Sequence, residues 1–339
     1  MLFYIARRIV FFIVIWFGVT LVTFSLSHVV PGDPAQLAAG PGADRSAVEE
    51  IRRSMGLDDP VHVQYFRYLG NISRLDLGVS IVSRRPVIEE LGARLPASME
   101  LILVAFTGYL ALGIPLAIIA ATTRRASVDV VVRLFATTSF AIPSFVLAFW
   151  LQYLFFFTLD ILPAGGRLSL DLVRPPTVTG LLTVDGLIAG RFDVVVDAIR
   201  HLILPATALA FGLMAIAVRV TRATLLTEMR KDYVKMARLK GLSEGAIMRR
   251  HVLRNALIPV LTLIGVQFGY LVGGTLVVET VFGWPGLGFY AFNSILNLDY
   301  APVMGVTLVT TAVFVTTNFV IDLLYPVIDP RIRLWGAAR

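Results

Sequence analysis

Five polar side chains interrupt long apolar runs in this sequence: Gln152, Gln267, Glu279, and Asn318 with Asp322 one turn after it. A carboxylate at the centre of a bilayer costs roughly 2.5–3.5 kcal/mol on insertion scales, so such groups face protein or water and often border a transport route. Gln267 and Glu279 are therefore the candidate pathway-lining residues. A proton-driven carrier needs more buried acids, with His or Lys partners, than these. The energy for any movement is expected to enter from elsewhere. A second cluster is dense and basic. Residues 219–254 hold Arg219, Arg222, Arg230, Lys231, Lys235, Arg238, Lys240, Arg249, Arg250 and Arg254 against Glu228, Asp232 and Glu244.

Other chemistry is missing. No G-x-x-x-x-G-K-[ST] loop occurs, so the chain is not expected to bind ATP that way. The stretch GLGFYA (286–291) fits a relaxed dinucleotide pattern but follows no strand–helix–strand unit, and is set aside. His28, His62, His201 and His251 are too scattered for a metal centre, and there is no cysteine and no G-x-S-x-G elbow. The expectation is no catalytic residue, no metal and no cofactor held by this chain.

The elements that must position these groups are apolar helices. Hydrophobic residues make up 57% of the 339 positions, and mean hydropathy is +0.78. Six segments, at roughly 9–30, 98–121, 131–157, 201–221, 256–281 and 303–327, have the length and composition of transmembrane helices. The fold class read from this is all-α and polytopic, with about six spans. The first span is too long for a signal-peptide core and runs into PGDP without a cleavage pattern, so it reads as retained. The net charge of +7 and pI near 9.9 are topological and not a nucleic-acid footprint. Arg7 and Arg8, then Arg124, Arg125 and Arg133, then residues 219–254, then Arg331, Arg333 and Arg339 fall on one side if the spans alternate. The positive-inside rule makes that side, and both termini, cytoplasmic. Residues 31–97 carry eight Arg against nine acids, and segments of that length escape the rule.

The chain accordingly divides into an N-terminal span (1–30), a small external helical domain (31–97), a transmembrane core (98–327) with a cytoplasmic loop at 222–255, and a cytoplasmic tail (328–339). In the external domain Ser46 and Glu49 suggest a capping box closed by Gly56, Asp59 and Pro60 suggest a second helix ended by Gly70, and Pro86 opens a third that Pro96 closes. Pro115, Pro143, Pro205 and Pro259 interrupt the spans. Gly265, Gly269 and Gly273 recur at every fourth position and predict a close helix-packing seam.

The basic segment carries more than charge. DYVKMARLKG reads as a helix stopped by Gly241, after which Ser243 caps a second helix with Glu244 in its first turn. Ile247, Met248, His251, Val252 and Asn255 share one face of that helix, away from Arg249, Arg250 and Arg254. Caps, a glycine corner and an apolar stripe exceed what a topological signal needs. They predict a docking elbow.

This stretch resembles the cytoplasmic loop of binding-protein-dependent ABC importer permeases, with the general form E-A-A-x3-G-x9-I-x-L-P. Ala237, Gly241 and Leu253 match in register, while Lys235, Met236, His251 and Arg254 depart toward the form of the dipeptide/oligopeptide/nickel branch. VPGDPA (30–35), GLDDP (56–60), DLGVS (76–80), FGWPGLG (282–288) and NFVIDLLYPVIDPRIR (318–333) extend the likeness over almost the whole chain. The resemblance implies the type I permease fold, residence in a bacterial inner membrane, and import of di- or oligopeptides or a related small solute. It also implies partners: a second homologous permease subunit, two cytoplasmic ATPase subunits that bind ATP and magnesium, and an external solute-binding protein. The ATPase-coupling residues would be Ala237, Lys240, Gly241, Leu242, Ser243, Glu244, Arg249, Arg250, His251, Leu253 and Arg254. Gly241 would allow the sharp corner and Ala237 would keep the packing close. A channel or secondary carrier whose elbow only anchors to anionic lipid is the alternative.

Overall fold

The computed structural model describes residues 2–29, 34–40, 42–123 and 126–328. Most of VPGDPA, together with Arg124, Arg125 and the arginines of the tail, lies outside the described residues. Fourteen helices follow in order among those described: α1 (Leu2–Val29), α2 (Pro34–Ala39), α3 (Arg45–Met55), α4 (Val61–Ser73), α5 (Val87–Thr122), α6 (Ala126–Ala141), α7 (Ser144–Leu151), α8 (Leu182–Ile188), α9 (Phe192–Met229), α10 (Asp232–Leu239), α11 (Glu244–Ile247), α12 (Leu253–Val281), α13 (Leu287–Leu296) and α14 (Tyr300–Ile328). Wider π turns at Gln152–Thr158 and Met248–Val252 extend α7 and join α11 to α12. No strand forms among the described residues beyond an isolated bridge between Val79 and Pro86.

Among the described residues, four helical stretches are long and apolar enough to cross a membrane: Val87–Thr122, Phe192–Met229, Pro259–Val281 and Tyr300–Leu323. A shorter apolar stretch, Ile9–Ser25, lies in α1. The segment expected as one span at 131–157 is bent by 103° between Val130–Ser139 and Ser144–Thr158. Pro143 accounts for the bend: it has no N–H for the ladder and drives the preceding residue out of helical space. Pro205 and Pro259, by contrast, ride inside continuous helices.

The chain forms two compact units, residues 1–96 with 286–313, and residues 97–285 with 314–339. In the first, α4 lies against α1 through two hydroxyl pairs, Thr20–Tyr65 and Thr23–Tyr68, each 3.0 Å. Ser80 donates to Asp299 at 2.6 Å, tying the turn before α5 to the turn before α14. Local start and stop signals were partly misleading here. Asp44, not Ser46, occupies the cap position of α3, and its side chain makes no cap bond. Gly56 does end that helix, at φ +63°. Pro60 itself takes the cap position of α4, which leaves Asp59 to pair with Arg67 at 2.5 Å, while Gly70 sits inside the helix. Pro96 closes nothing, because α5 continues through it to Thr122.

In the second unit α9 packs against α6, α7, α8 and α12. Its small buried residues, among them Ala198, Ala208, Ala215 and Ala217, let those neighbours approach. The long insert between α7 and α9 is pinned to α5 by one buried acid. Glu100 accepts from the Thr183 backbone N–H and hydroxyl, both at 2.7 Å, and from the Arg167 guanidinium. Arg167 also reaches the Gly180 carbonyl and lies 5.6 Å over the Trp284 ring. Gln152, expected as an isolated polar group in a span, donates to the carbonyls of Ala164 and Val281.

Candidate functional site

The basic segment folds as a corner between two long helices. Two residues after α9 ends, Lys231 adopts extended backbone, and α10 begins with Asp232 in its first turn. The end of α10 is a Schellman motif: the Leu242 N–H reaches the Ala237 carbonyl at 3.3 Å and the Gly241 N–H reaches that of Arg238 at 2.9 Å. Gly241 supplies the left-handed position at φ +76°, which costs any residue with a Cβ. Ser243 then caps α11, its hydroxyl accepting from the Ala246 N–H at 3.4 Å. The second helix of the elbow is not a separate piece. From Glu244 it continues through the π turn straight into α12, so the elbow is rigidly continuous with a membrane span.

The two faces of this corner differ. Val234, Ala237, Ile247, Met248 and Val252 are buried in one cluster with Ala121, Leu225 and Ala256. Each large apolar side chain so buried contributes about 2 kcal/mol, against well under 1 kcal/mol for an exposed ion pair. The elbow is therefore held in place by its own chain, seated on the ends of α5 and α9 and the start of α12. Ala237, expected to keep the packing close, belongs to this inner cluster, and Leu253 packs against the same cluster. Ala237 stands three residues from Val234, and Leu253 three from Ala256, spacings that turn both inward.

The outer face carries Lys240, Gly241, Ser243, Glu244, Arg249, Arg250 and Arg254, all exposed; His251 is partly covered, and Leu242 packs against the inner cluster. Two residues there were missed from sequence: Met236 and Leu239, 56% and 82% exposed. Their three-residue spacing on α10, opposite Val234 and Ala237, was the available signal. Not all the cations are presented equally. Lys235 bonds Asp232 at 2.9 Å and holds that carboxyl below its usual range. Arg238 forks onto Glu244 at 2.7 and 3.1 Å, bracing α10 to α11 across the glycine corner.

The candidate pathway residues are covered within the chain. Glu279 is wholly buried and accepts from Ser98 at 2.6 Å. Gln267 is 1% exposed, with its amide 3.4 Å from the Leu213 carbonyl. The glycine seam forms at two of three expected positions. A Cβ on Gly265 would meet Ile321 at 2.9 Å, and one on Gly269 would overlap the Phe314 ring, whereas Gly273 has nothing within 4 Å. The helix turns so that Gly274 instead faces Leu209 of α9 at 3.2 Å.

The described helices of membrane-crossing length are joined by an elbow that presents cations and two exposed apolar side chains. Comparison with known proteins gives the family of the chain. Residues 113–334 match the family described as binding-protein-dependent transport system inner membrane component, and residues 1–102 match the N-terminal part of such components. The chain belongs to this family of ABC transport permeases, which have the type I fold and leave ATP hydrolysis to separate subunits. Its place is the inner membrane. It is 44% identical over 94% of both chains to a probable D,D-dipeptide transport system permease protein, DdpB, of Escherichia coli. It is 39% identical to the dipeptide transport system permease protein DppB of Alkalihalophilus pseudofirmus, covering 98% of this chain and 100% of that one. Identity to the glutathione transport system permease protein GsiC of Escherichia coli is 35%, over 98% and 99% of the two chains.

Proposed function

We propose that this chain forms half of the translocation pathway of an ATP-driven importer for dipeptides or short peptides, with both termini in the cytoplasm. A second permease subunit completes the pathway, two ATPase subunits bind below it, and an external binding protein delivers substrate. The elbow at 232–254 is the coupling element. The observation that carries this reading is its two-faced build: an inner face seated on three long helices, and an outer face of lysine, arginine, Met236 and Leu239 turned away from the chain. An ATPase with an acidic-rimmed apolar groove fits that outer face. Closure of the ATPases on ATP then displaces the elbow, and α9 and α12 move with it; docking that differs between two states supplies the coupling free energy. ATP and magnesium sit on the partners, and this chain holds no cofactor. The peptide substrate is supported by the names of the dipeptide and glutathione permeases it resembles.

Mild-detergent purification with mass spectrometry tests the assembly, and a second permease with P-loop ATPases is the expected company. Recovery as a lone homo-oligomer favours the channel or carrier reading. Gly241→Asp tests the coupling. A Cβ at Gly241 meets nothing within 4 Å in this chain, and aspartate tolerates left-handed backbone better than most residues. The variant should therefore fold and insert yet lose uptake, because its side chain and charge enter the docking face. Normal peptide uptake by that variant sinks the coupling role.

A further inference from the structure

We propose that α4 is immersed in the bilayer, with Val63 and Phe66 among the lipid acyl chains of the leaflet opposite Arg7 and Arg8. Residues 31–97 read from sequence as an external domain, yet α4 packs on the apolar stretch Ile9–Ser25 of α1 itself. Thr20, Thr23 and Phe24 are the buried side chains among those described in α1, and all three touch α4. Thr20 and Thr23 share hydrogen bonds of 3.0 Å with Tyr65 and Tyr68, and the Phe24 ring lies 5.2 and 5.7 Å from the two tyrosine rings. Each threonine hydroxyl also donates to a carbonyl of its own helix, Phe17 for Thr20 and Val19 for Thr23, so the tyrosines donate across the contact. All four hydroxyls are thereby satisfied without water, as a contact at membrane depth requires.

At 1.5 Å per residue, Thr23 stands about 10 Å short of the expected end of the span at residue 30, and the apolar face of an interfacial helix sinks roughly 5–10 Å. Three stripes run along α4, about 120° apart by helical spacing. Tyr65 and Tyr68 form the α1 side, with Leu69 and Ile72 in line and partly covered. Gln64, Arg67 and Asn71 form a polar side. The turn before the helix folds over it: Gln64 donates to the Leu57 and Asp59 carbonyls at 3.0 and 2.8 Å, and Arg67 pairs with Asp59. Val63, Phe66 and Gly70 form the third side, and it is bare. Phe66 is 68% exposed, Val63 38%, and a Cβ on Gly70 would meet nothing within 4 Å. A lone exposed phenylalanine on a protein surface is ordinary. One fixed at the level of an apolar span, away from the polar stripe, is surrounded by acyl chains. Phe17, itself half-exposed, meets the Tyr65 ring at 5.8 Å and carries the apolar surface of α1 across to α4.

The chain has no cysteine, so Phe66→Cys and Asn71→Cys each create a single spin-labelling site in the full-length protein. The complex that assembles around it is placed in phosphatidylcholine–phosphatidylglycerol vesicles, and the labelled native complex supplies the background from any partner cysteines. Relaxation of the label by oxygen, which concentrates in acyl chains, is compared with relaxation by a water-soluble nickel chelate. The label at position 66 should favour oxygen several-fold more than the label at position 71. Ready access of nickel to both sites overturns the proposal, because α4 then stands in water. Protection of position 66 from both reagents also overturns it, because a protein partner then covers the stripe. A second measurement needs no substitution. A phospholipid with a diazirine on its acyl chain, photolysed with the native complex, should mark the tryptic peptide 54–67, which ends one residue past Phe66. Labelling of α1 without labelling of that peptide overturns the proposal even if the variants fail to assemble.

Discussion

Two clusters of arginine and acid sit in the same compact unit and are built in opposite ways. At Glu100 the charge is swallowed: side-chain exposure is 3% for the acid and 10% for Arg167, and Thr183, Gly180 and Trp284 complete the surroundings. At the elbow the corresponding pair, Arg238 and Glu244, is 40% and 63% exposed, in a row of cations with no such cage. The first arrangement fastens an insert of the chain to a span. The second offers charge to something outside the chain. Composition cannot separate them, since both are arginines beside carboxylates; the difference lies in what surrounds each pair.

Breaking each pair in turn gives the largest contrast. Arg167→Met leaves Glu100 enclosed without its cation, and removal of one member of a buried pair costs about 3–5 kcal/mol. A pronounced loss of thermal stability in detergent, and proteolytic sensitivity of residues 160–190, are the expected results. Glu244→Ala at the elbow should cost below about 1 kcal/mol, because an exposed pair is screened and its partner stays solvated. Equal losses at the two sites would erase the distinction.

A second acid of the insert sharpens the same point through pH. Asp185 accepts from the Thr179 N–H at 2.7 Å, from its hydroxyl at 2.8 Å and from the Gly180 N–H at 3.0 Å. Burial pushes its carboxyl up, but these donors outweigh that and hold it below the usual range. Because the folded form is the weaker acid-binder of protons, its stabilisation is complete above the ordinary carboxylate pKa of about 4 and drains as pH falls through the folded value. Hydrogen-exchange protection across 178–188, taken relative to the intrinsic rate at each pH, should therefore fall in acid. Asp185→Asn should flatten that dependence and cost about 1 kcal/mol at neutral pH. An unaltered pH profile in the variant would remove Asp185 from the structural class.

What the sequence allowed one to read follows the range of the interactions. Gly241 and Ser243 were legible because a left-handed stop and a hydroxyl cap are decided within four residues. Glu100 and Arg167 are 67 residues apart, with no periodicity linking them, and went unnoticed. Local grammar also failed where two candidates were adjacent, as with Asp44 and Ser46, or where packing overrode a breaker, as at Pro96. Ala237 is the instructive intermediate case. The motif singled it out, and its partners are Val234 and the rest of the inner cluster, while Met236 and Leu239 face outward. Spacing identifies a face; only the packed neighbours tell which face is already taken.

The smallest expected effect on stability belongs to Arg249 and Arg250, and it is the one that most separates the two regions. Both are exposed on the π turn between α11 and α12. Reversing them to glutamate should change the melting of the isolated permease by no more than about 0.5 kcal/mol. The same change should weaken ATPase attachment at low salt, because two attractive contacts become repulsive. The deficit relative to native should then shrink as salt rises and the Debye length falls from about 10 Å at 0.1 M to 3 Å at 1 M. A salt titration of ATPase retention, run beside a melt of the permease alone, reads both quantities. Attachment that stays native at low salt would mean that these arginines face water or lipid headgroups, and the docking face would contract to α10 and its two apolar knobs. Weakened attachment with an unchanged melt would mean that the elbow's charge serves the partner, as the charge at Glu100 serves the fold.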